Sequence, residues 1–307
     1  MQPPPRIHHY IPIFWTRQWA GADGRVERFR KFQTVVDQRV PPARVGWERN
    51  LYTVPDVAPE RAQLLEEQLF KHIDDAAAVA LHKMLTTPLT PLDDRDVSAW
   101  ATFILALLHR TPENLRITKL AGKAVWDNAV PEVRERYLEI RKDGDPATFE
   151  DYAAQRSPIE AEQSLLWSLP HLIVNPTIGA HLCGMHWATI DIPFSERTFL
   201  LSDDALGRSN GIAHPGGHFA MPLSPTRLLV IAWERETVMR FNRMPKGQLV
   251  KAMNKWTVES ARHFVVGTTL SQAGYIRANF GAFPKLPFNA GVVDQVRAEY
   301  AATIDPG

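Results

Sequence analysis

Ionisable side chains able to do chemistry are scattered along this chain, and four places stand out. His8 and His9 open the run "HHYIPIFWTRQWAG" at 8–21. A neutral imidazole can bind a metal or move a proton near neutral pH. Adjacent residues on an extended segment point to opposite sides, so only one of the two can serve a given site. The weightier expectation is structural: one histidine exposed, the other bonded to backbone, with Phe14, Trp15 and Trp19 anchoring the segment in the core.

Glu66, Glu67 and Asp74 lie beside the apolar stripe of a long helix. Glu67 and Asp74 are seven residues apart, nearly two turns, and share a face. Paired carboxylates could hold a divalent cation, or one could act as a base. Against this, Lys71 follows Glu67 by four residues, the spacing of a solvated ion pair. In "LLSDDAL", Ser202 and Asp203 stand just past an apolar strand, where side chains can project into a cleft or close a turn. Arg110 ends a buried helix and is expected to bind helix carbonyls or a nearby carboxylate, with an anionic ligand as the alternative.

Other patterns carry less. "GRSNG" (207–211) matches G-x-S-x-G by letters, but the following "IAHPGGH" cannot start the helix that a nucleophile elbow needs. "HLCGMH" offers His181, Cys183 and His186 without an evident fourth zinc ligand. His214 and His218 would share a helical face, but "HPGGH" is not helical. Arg25, Arg28, Arg30 and Lys31 form a basic strand that could touch phosphate and is more ordinarily solvated. No P-loop, glycine-rich dinucleotide turn or HExxH occurs.

The elements that must position these groups can be read from patterning. Leu65, Leu69, Ile73, Ala76, Ala80 and Met84 predict a helix that Pro88 stops. A second is predicted from Asp93 or Asp94 to Pro112, with Val97, Trp100, Ile104 and Leu108 inward. Shorter helices are expected over 131–142 and 157–169, and a last one over 247–267, followed by an extended tail. Strands are expected at 186–193, 198–203, in "HFAMPLSP" and in "RLLVIAWERE"; "RVERFRKF" (25–32) fits either periodicity. Helices grouped in the middle and strands grouped later predict an α+β fold, with a small, mainly antiparallel sheet. We read one unit over 1–307, with regions 1–57 mixed or extended, 58–170 helical, 171–245 strand-rich, and 246–307 helix plus tail.

The totals narrow the partners. Lys+Arg 35 against Asp+Glu 34 gives no global field for nucleic acid or anionic membrane. The single Cys183 excludes an internal disulfide and fits a reducing compartment. No run of about 18 apolar residues occurs, so no membrane partner is expected and the location is read as cytoplasmic.

Taken in order, "HHYIPIFWTRQWAG", "ERNLYTV" (48–54), "LLEEQLFKHIDDAAA" (64–78), "RTP" (110–112), "LLSDDAL" (200–206), "PLSP" (222–225) and "NKWTVESARHFVV" resemble a bacterial family, DUF4238. The resemblance implies a bacterial, intracellular α+β unit with an extended segment over "RVERFRKF", and it carries no activity. The chain departs from it at "SDDAL", where proline more often follows the aspartates.

The functional expectation is therefore a site where His8 or His9, Glu66 and Asp203 act, with Arg110 and Ser202 binding ligand. Those residue types suit metal-assisted hydrolysis of a phosphoester or amide, with a divalent ion as the implied cofactor. The alternatives are a non-catalytic interaction protein whose nine tryptophans shape a partner surface, or nucleic-acid binding through residues 25–31, which predicts affinity falling steeply with salt.

Overall fold

The structure is a computed structural model that describes residues 7–54, 57, 61–86, 91–193, 197–204, 206–209 and 211–304, without the side chains of 157–158, 160–161, 167 and 299–304. Ten strands appear among them: β1 (Ile7–His9), β2 (Val26–Lys31), β3 (Val35–Val40), β4 (Trp47–Arg49), β5 (His186–Asp191), β6 (Leu201–Ser202), β7 (Gly207–Ser209), β8 (His218–Ser224), β9 (Arg227–Ala232) and β10 (Val265–Gly267). The α-helices are α1 (Ile13–Thr16), α2 (Lys71–Leu85), α3 (Asp94–His109), α4 (Pro112–Ile140), α5 (Phe149–Ile173), α6 (Pro176–Cys183), α7 (Arg235–Arg243), α8 (Lys246–Glu259), α9 (Ala273–Asn279) and α10 (Val292–Ile304). The fold is α+β, as the grouping of elements predicts. Pro88 lies outside the described residues. No described helix is long and apolar enough to cross a membrane.

The helical middle begins with a departure from ideal winding. Leu65–Phe70 is a π-helical segment that runs directly into α2. Its extra residue moves the buried stripe to Leu65, Phe70, Ile73, Ala77, Ala80 and Met84, leaving Leu69 half-buried and Ala76 exposed. Helix α3 starts as read: the Asp93 carboxylate accepts from the Asp96 N–H at 2.9 Å, and Asp96 reciprocates at 3.0 Å. Lys83 of α2 reaches Asp96 at 2.5 Å and ties the two helices together.

The expected short helices are parts of two long ones. Helix α4 continues through Pro131, although that proline has no N–H for the Asp127 carbonyl. Packing of α4 on α5 and α10 outweighs this local loss. Gly122 permits close approach of α4 and α5, since a Cβ there would lie 2.4 Å from the Ser164 Cβ.

The strands form two four-stranded antiparallel sheets, β3-β2-β10-β6 and β5-β9-β8-β7, and a separate ribbon, β1-β4. "RVERFRKF" is a strand. The expected helix over 247–267 ends instead at Glu259, and Val265–Gly267 becomes an inner strand between β2 and β6. The β-branched pair Val265–Val266 suits a pleated, buried strand better than the end of a helix. The expected extended tail contains α9 and α10; Ala273, Ile276 and Phe280 pack with Phe29 and Val265 under the first sheet.

The N-terminal aromatics bolt these parts together. Trp15 and Trp19 are fully buried; their indole N–H groups donate to the Pro222 carbonyl at 2.9 Å and the Phe199 carbonyl at 2.8 Å. The opening segment is thus fixed to strand β8 and to the segment that leads into β6, through bonds spanning most of the chain.

Candidate functional site

His8 is an architectural residue. It is fully buried, its Nδ1 accepts from the Tyr52 N–H at 2.8 Å, and its Nε2 lies 2.9 Å from Gln63 Oε1. With Nδ1 accepting, Nε2 must carry the proton and donate. The ring also stacks on Tyr52, centroids 5.2 Å apart. Both nitrogens are committed, so His8 cannot exchange a proton without breaking the segment's attachment.

His9 points elsewhere, as alternation on a strand requires. Its Nε2 lies 3.2 Å from the Ala43 carbonyl, so the neutral ring carries its lone pair on Nδ1. Burial lowers its pKa, an effect opposed by the bond to Ala43 and reinforced by the cation of Arg110 and by His8. His9 lines a cleft of about 330 Å³ with Pro12, Ile13, Phe14, Glu66 and Asp74; Glu67, Lys71 and Asp75 also line it.

The π-segment decides which glutamate enters this cleft's wall. Residues seven apart share a face of an α-helix, and one inserted residue makes that spacing eight. Glu66 and Asp74 therefore become the half-buried neighbours, while Glu67 is exposed. The expected Glu67–Lys71 pair is absent, and Lys71 bonds Asp75 at 3.0 Å. Burial raises the Glu66 pKa to about 7, with the Arg110 cation opposing the rise and Asp74 and Glu67 adding to it. Burial also raises Asp74, against the pull of Arg110.

Arg110 ties the cluster to the fold. Fully buried, it donates from Nη1 to Asp74 Oδ1 at 2.8 Å and from Nε to the Tyr10 carbonyl at 2.9 Å. Its guanidinium lies over Phe70 and Phe103, and its own carbonyl accepts from the Tyr52 hydroxyl at 3.1 Å. The expectation that Arg110 binds a nearby carboxylate thus describes its contact. Two atoms remain: Arg110 Nη2 and Glu66 Oε2 are buried and have no hydrogen-bond partner among the described residues.

Asp203 and Ser202 do not join this cleft. Ser202 is buried, and its Oγ accepts from the Asp204 N–H at 3.2 Å, which closes a turn. Asp203 accepts from the N–H groups of Arg262, His263 and Phe264 at 3.0–3.2 Å, clamping the approach to β10. Burial raises its pKa to about 6 against His263 and those three N–H groups. It lines a different cleft with Ile11, Trp15, Glu113, Asp204 and Arg208. The single-pocket expectation is corrected accordingly: the buried segment 10–15 runs between the two clefts and separates Asp203 from His9 and Glu66.

Sequence reasoning also missed a pair. His263 Nε2 lies 2.5 Å from Glu113 Oε1, a contact that raises the histidine's pKa and holds the carboxyl low despite its burial. The partners are 150 residues apart, and no local pattern announces them.

Among the described residues, no group of three or more His, Cys, Asp and Glu side chains is placed to hold a metal ion. The cation beside Asp74 and Glu66 is Arg110 itself, so the donor set does not fit a divalent ion. His181 ends near the Ile212 carbonyl at 2.7 Å and stacks on Trp233, away from any zinc arrangement with His186. "GRS" is strand β7, paired with β8, and no elbow forms.

Fold and cleft together define an α+β protein with a buried Arg–carboxylate cluster beneath an N-terminal histidine strand. A family model described as "Protein of unknown function (DUF4238)" matches residues 7–271, and the chain belongs to that family. No curated protein and no solved structure matches it.

Proposed function

We propose that the chain is a hydrolase acting on a phosphoester or amide in the His9 cleft. The observation that carries this reading is the pair of buried, unpartnered polar atoms, Glu66 Oε2 and Arg110 Nη2, behind a cleft that His9 lines. Buried polar groups without partners are rare and call for a functional explanation. Here they sit on a π-segment and its neighbour, a helix irregularity frequent at functional sites.

The chemistry follows from the environments. Neutral His9 takes a proton from water through Nδ1 as the oxygen attacks the phosphorus or carbonyl carbon. Glu66, partly protonated near neutral pH, delivers a proton to the departing oxygen or nitrogen. The two groups then exchange protons with solvent and reset. Arg110 and Asp74 are positioning residues, holding Glu66 between protonation states. No metal is needed for either proton transfer.

The test is a hydrolysis panel of p-nitrophenyl phosphate, bis-p-nitrophenyl phosphate and amino-acid p-nitroanilides. Turnover of one class that falls in both His9→Gln and Glu66→Gln supports the reading. Absence of turnover across the panel, or activity unchanged in those variants, overturns it.

A further inference from the structure

A second site with a separate lining adjoins strand β4 and strand β2. Strand β2 buries Phe29 against α8 and α9 and turns Arg28 and Arg30 to the opposite face. Arg44 and Arg49 arrive from either side of the turn into β4, and Trp47 stands between them. Two adjoining clefts of about 290 and 440 Å³ result, sharing Arg28, Arg30, Arg44 and Trp47. Arg49, Tyr10, Glu48 and His263 complete the first; Arg25, Gln38 and Arg39 belong to the second.

This charge is concentrated, with a single carboxylate against it in the linings among the described residues. The chain's net charge is only +1, and Arg39, Arg110, Arg227, Arg243 and Arg277 all pair with carboxylates. Arg25, Arg28, Arg30, Arg44 and Arg49 form no ion pair among the described residues. Among the described residues, Glu48 is the carboxylate that lines either cleft. Arg28 donates to the Arg44 carbonyl at 2.6 Å and to Gln38 Oε1 at 2.7 Å, while its buried Nε has no hydrogen-bond partner among the described residues. Gathering like charges is unfavourable unless an anion completes the site; burial, and then the neighbouring cations Arg30 and Arg44, disfavour the charge on Arg28.

We infer that these two clefts bind single-stranded nucleic acid, with Arg28, Arg30, Arg44 and Arg49 on successive phosphates and Trp47 stacking a base. Arginine forks match phosphate oxygens in pairs. Two joined clefts suit a chain of phosphates better than one isolated phosphate, and an aromatic flanked by arginines is the arrangement single strands use. The site is separate from the His9 cleft and does not depend on hydrolysis there.

Fluorescence anisotropy with fluorescein-labelled dT12 and U12 tests this across a salt series. Three to five phosphate contacts give a log–log salt slope of about −2 to −3.5. The variant Arg30→Gln/Arg44→Gln, both exposed positions, loses about tenfold or more in affinity and about 1.4 of that slope. Trp47→Leu weakens binding about fivefold or more, and Trp47→Phe retains it. His9→Gln and Glu66→Gln bind as the parent does. Flat salt dependence, an unaltered Arg30/Arg44 variant that melts like the parent, or tighter binding to duplex DNA, phosphatidylserine vesicles or a phosphoserine peptide overturns the inference.

Discussion

Arg110 and Asp74 form a 2.8 Å ion pair in which the guanidinium is wholly buried and the carboxylate is largely so. Such a pair is costly to break from one side, because the remaining charge stays in the interior. Arg110→Met is expected to lose about 3–5 kcal/mol of stability, and Arg110→Met/Asp74→Asn less than the sum of the singles. Urea unfolding of the four proteins measures this. Additive losses would show that the pair is not energetically coupled.

The pH dependence of hydrolysis follows from the two working groups. His9 acts neutral, so the rate rises as pH climbs through a value below 6.5, the direction burial sets. Glu66 acts protonated, so the rate falls as pH climbs through about 7. A bell with its top on the slightly acidic side is expected for kcat/KM. Glu66→Gln should lose the alkaline limb and about 10²–10⁴ in rate.

Two carboxyls favour the folded chain at mildly acidic over neutral pH, against the opposite pull of His109, whose pKa burial lowers to about 4. Glu66 and Asp203 are carboxyls whose folded pKa is raised by burial, to about 7 and about 6. Such a group stabilises the fold fully below its unfolded value, and that contribution is lost as pH rises through the folded value. Relative to Glu66→Gln, the parent's urea midpoint should therefore lose ground between pH 5 and 7.5. Midpoints that run parallel in the two proteins over that interval contradict the assignment.

Asp203 is expected to matter for folding and not for turnover. Asp203→Ala removes the acceptor for three backbone N–H groups and should cost about 3 kcal/mol. Folded Asp203→Ala should hydrolyse substrate at the parent rate, because the residue lines another cleft. Steady-state kinetics at a temperature where both proteins are folded decides the matter.

Trp19→Phe keeps the aromatic bulk and deletes the donor to the Phe199 carbonyl. An orphaned buried carbonyl costs about 1–3 kcal/mol. Thermal melts should show the loss without a change in far-ultraviolet circular dichroism.

What the sequence made legible was local. Asp93 announces α3 because a side-chain acceptor before an apolar periodic run is a capping signal, and both partners of the cap lie within three residues. Strands β5, β8 and β9 show as short β-branched or apolar runs bounded by turns. Pro131 misled because tertiary packing overrode its local penalty. "HFVVG" misled because helical and strand periodicities overlap in short apolar runs, and only pairing with β2 and β6 separates them. The His9–Glu66 part of the site was in view, but the expected face-sharing of Glu67 with Asp74 was not what formed: the π-segment sets Glu66 beside Asp74, a one-residue shift invisible to a 3.6-residue template. Asp203 was placed wrongly because its partners, residues 262–264, lie about sixty positions away.

A π-segment is an ordinary helix carrying one residue too many. Each residue of an α-helix advances the winding by about 100°. Excising the exposed Gln68 would let Leu65–Phe70 relax to regular coiling with Glu66 seven residues before Asp74, still on the face that meets Arg110. A single-codon deletion would thus abolish the irregular turn while keeping the acid–base centre assembled, which separates the bulge's own contribution from that of the groups it carries.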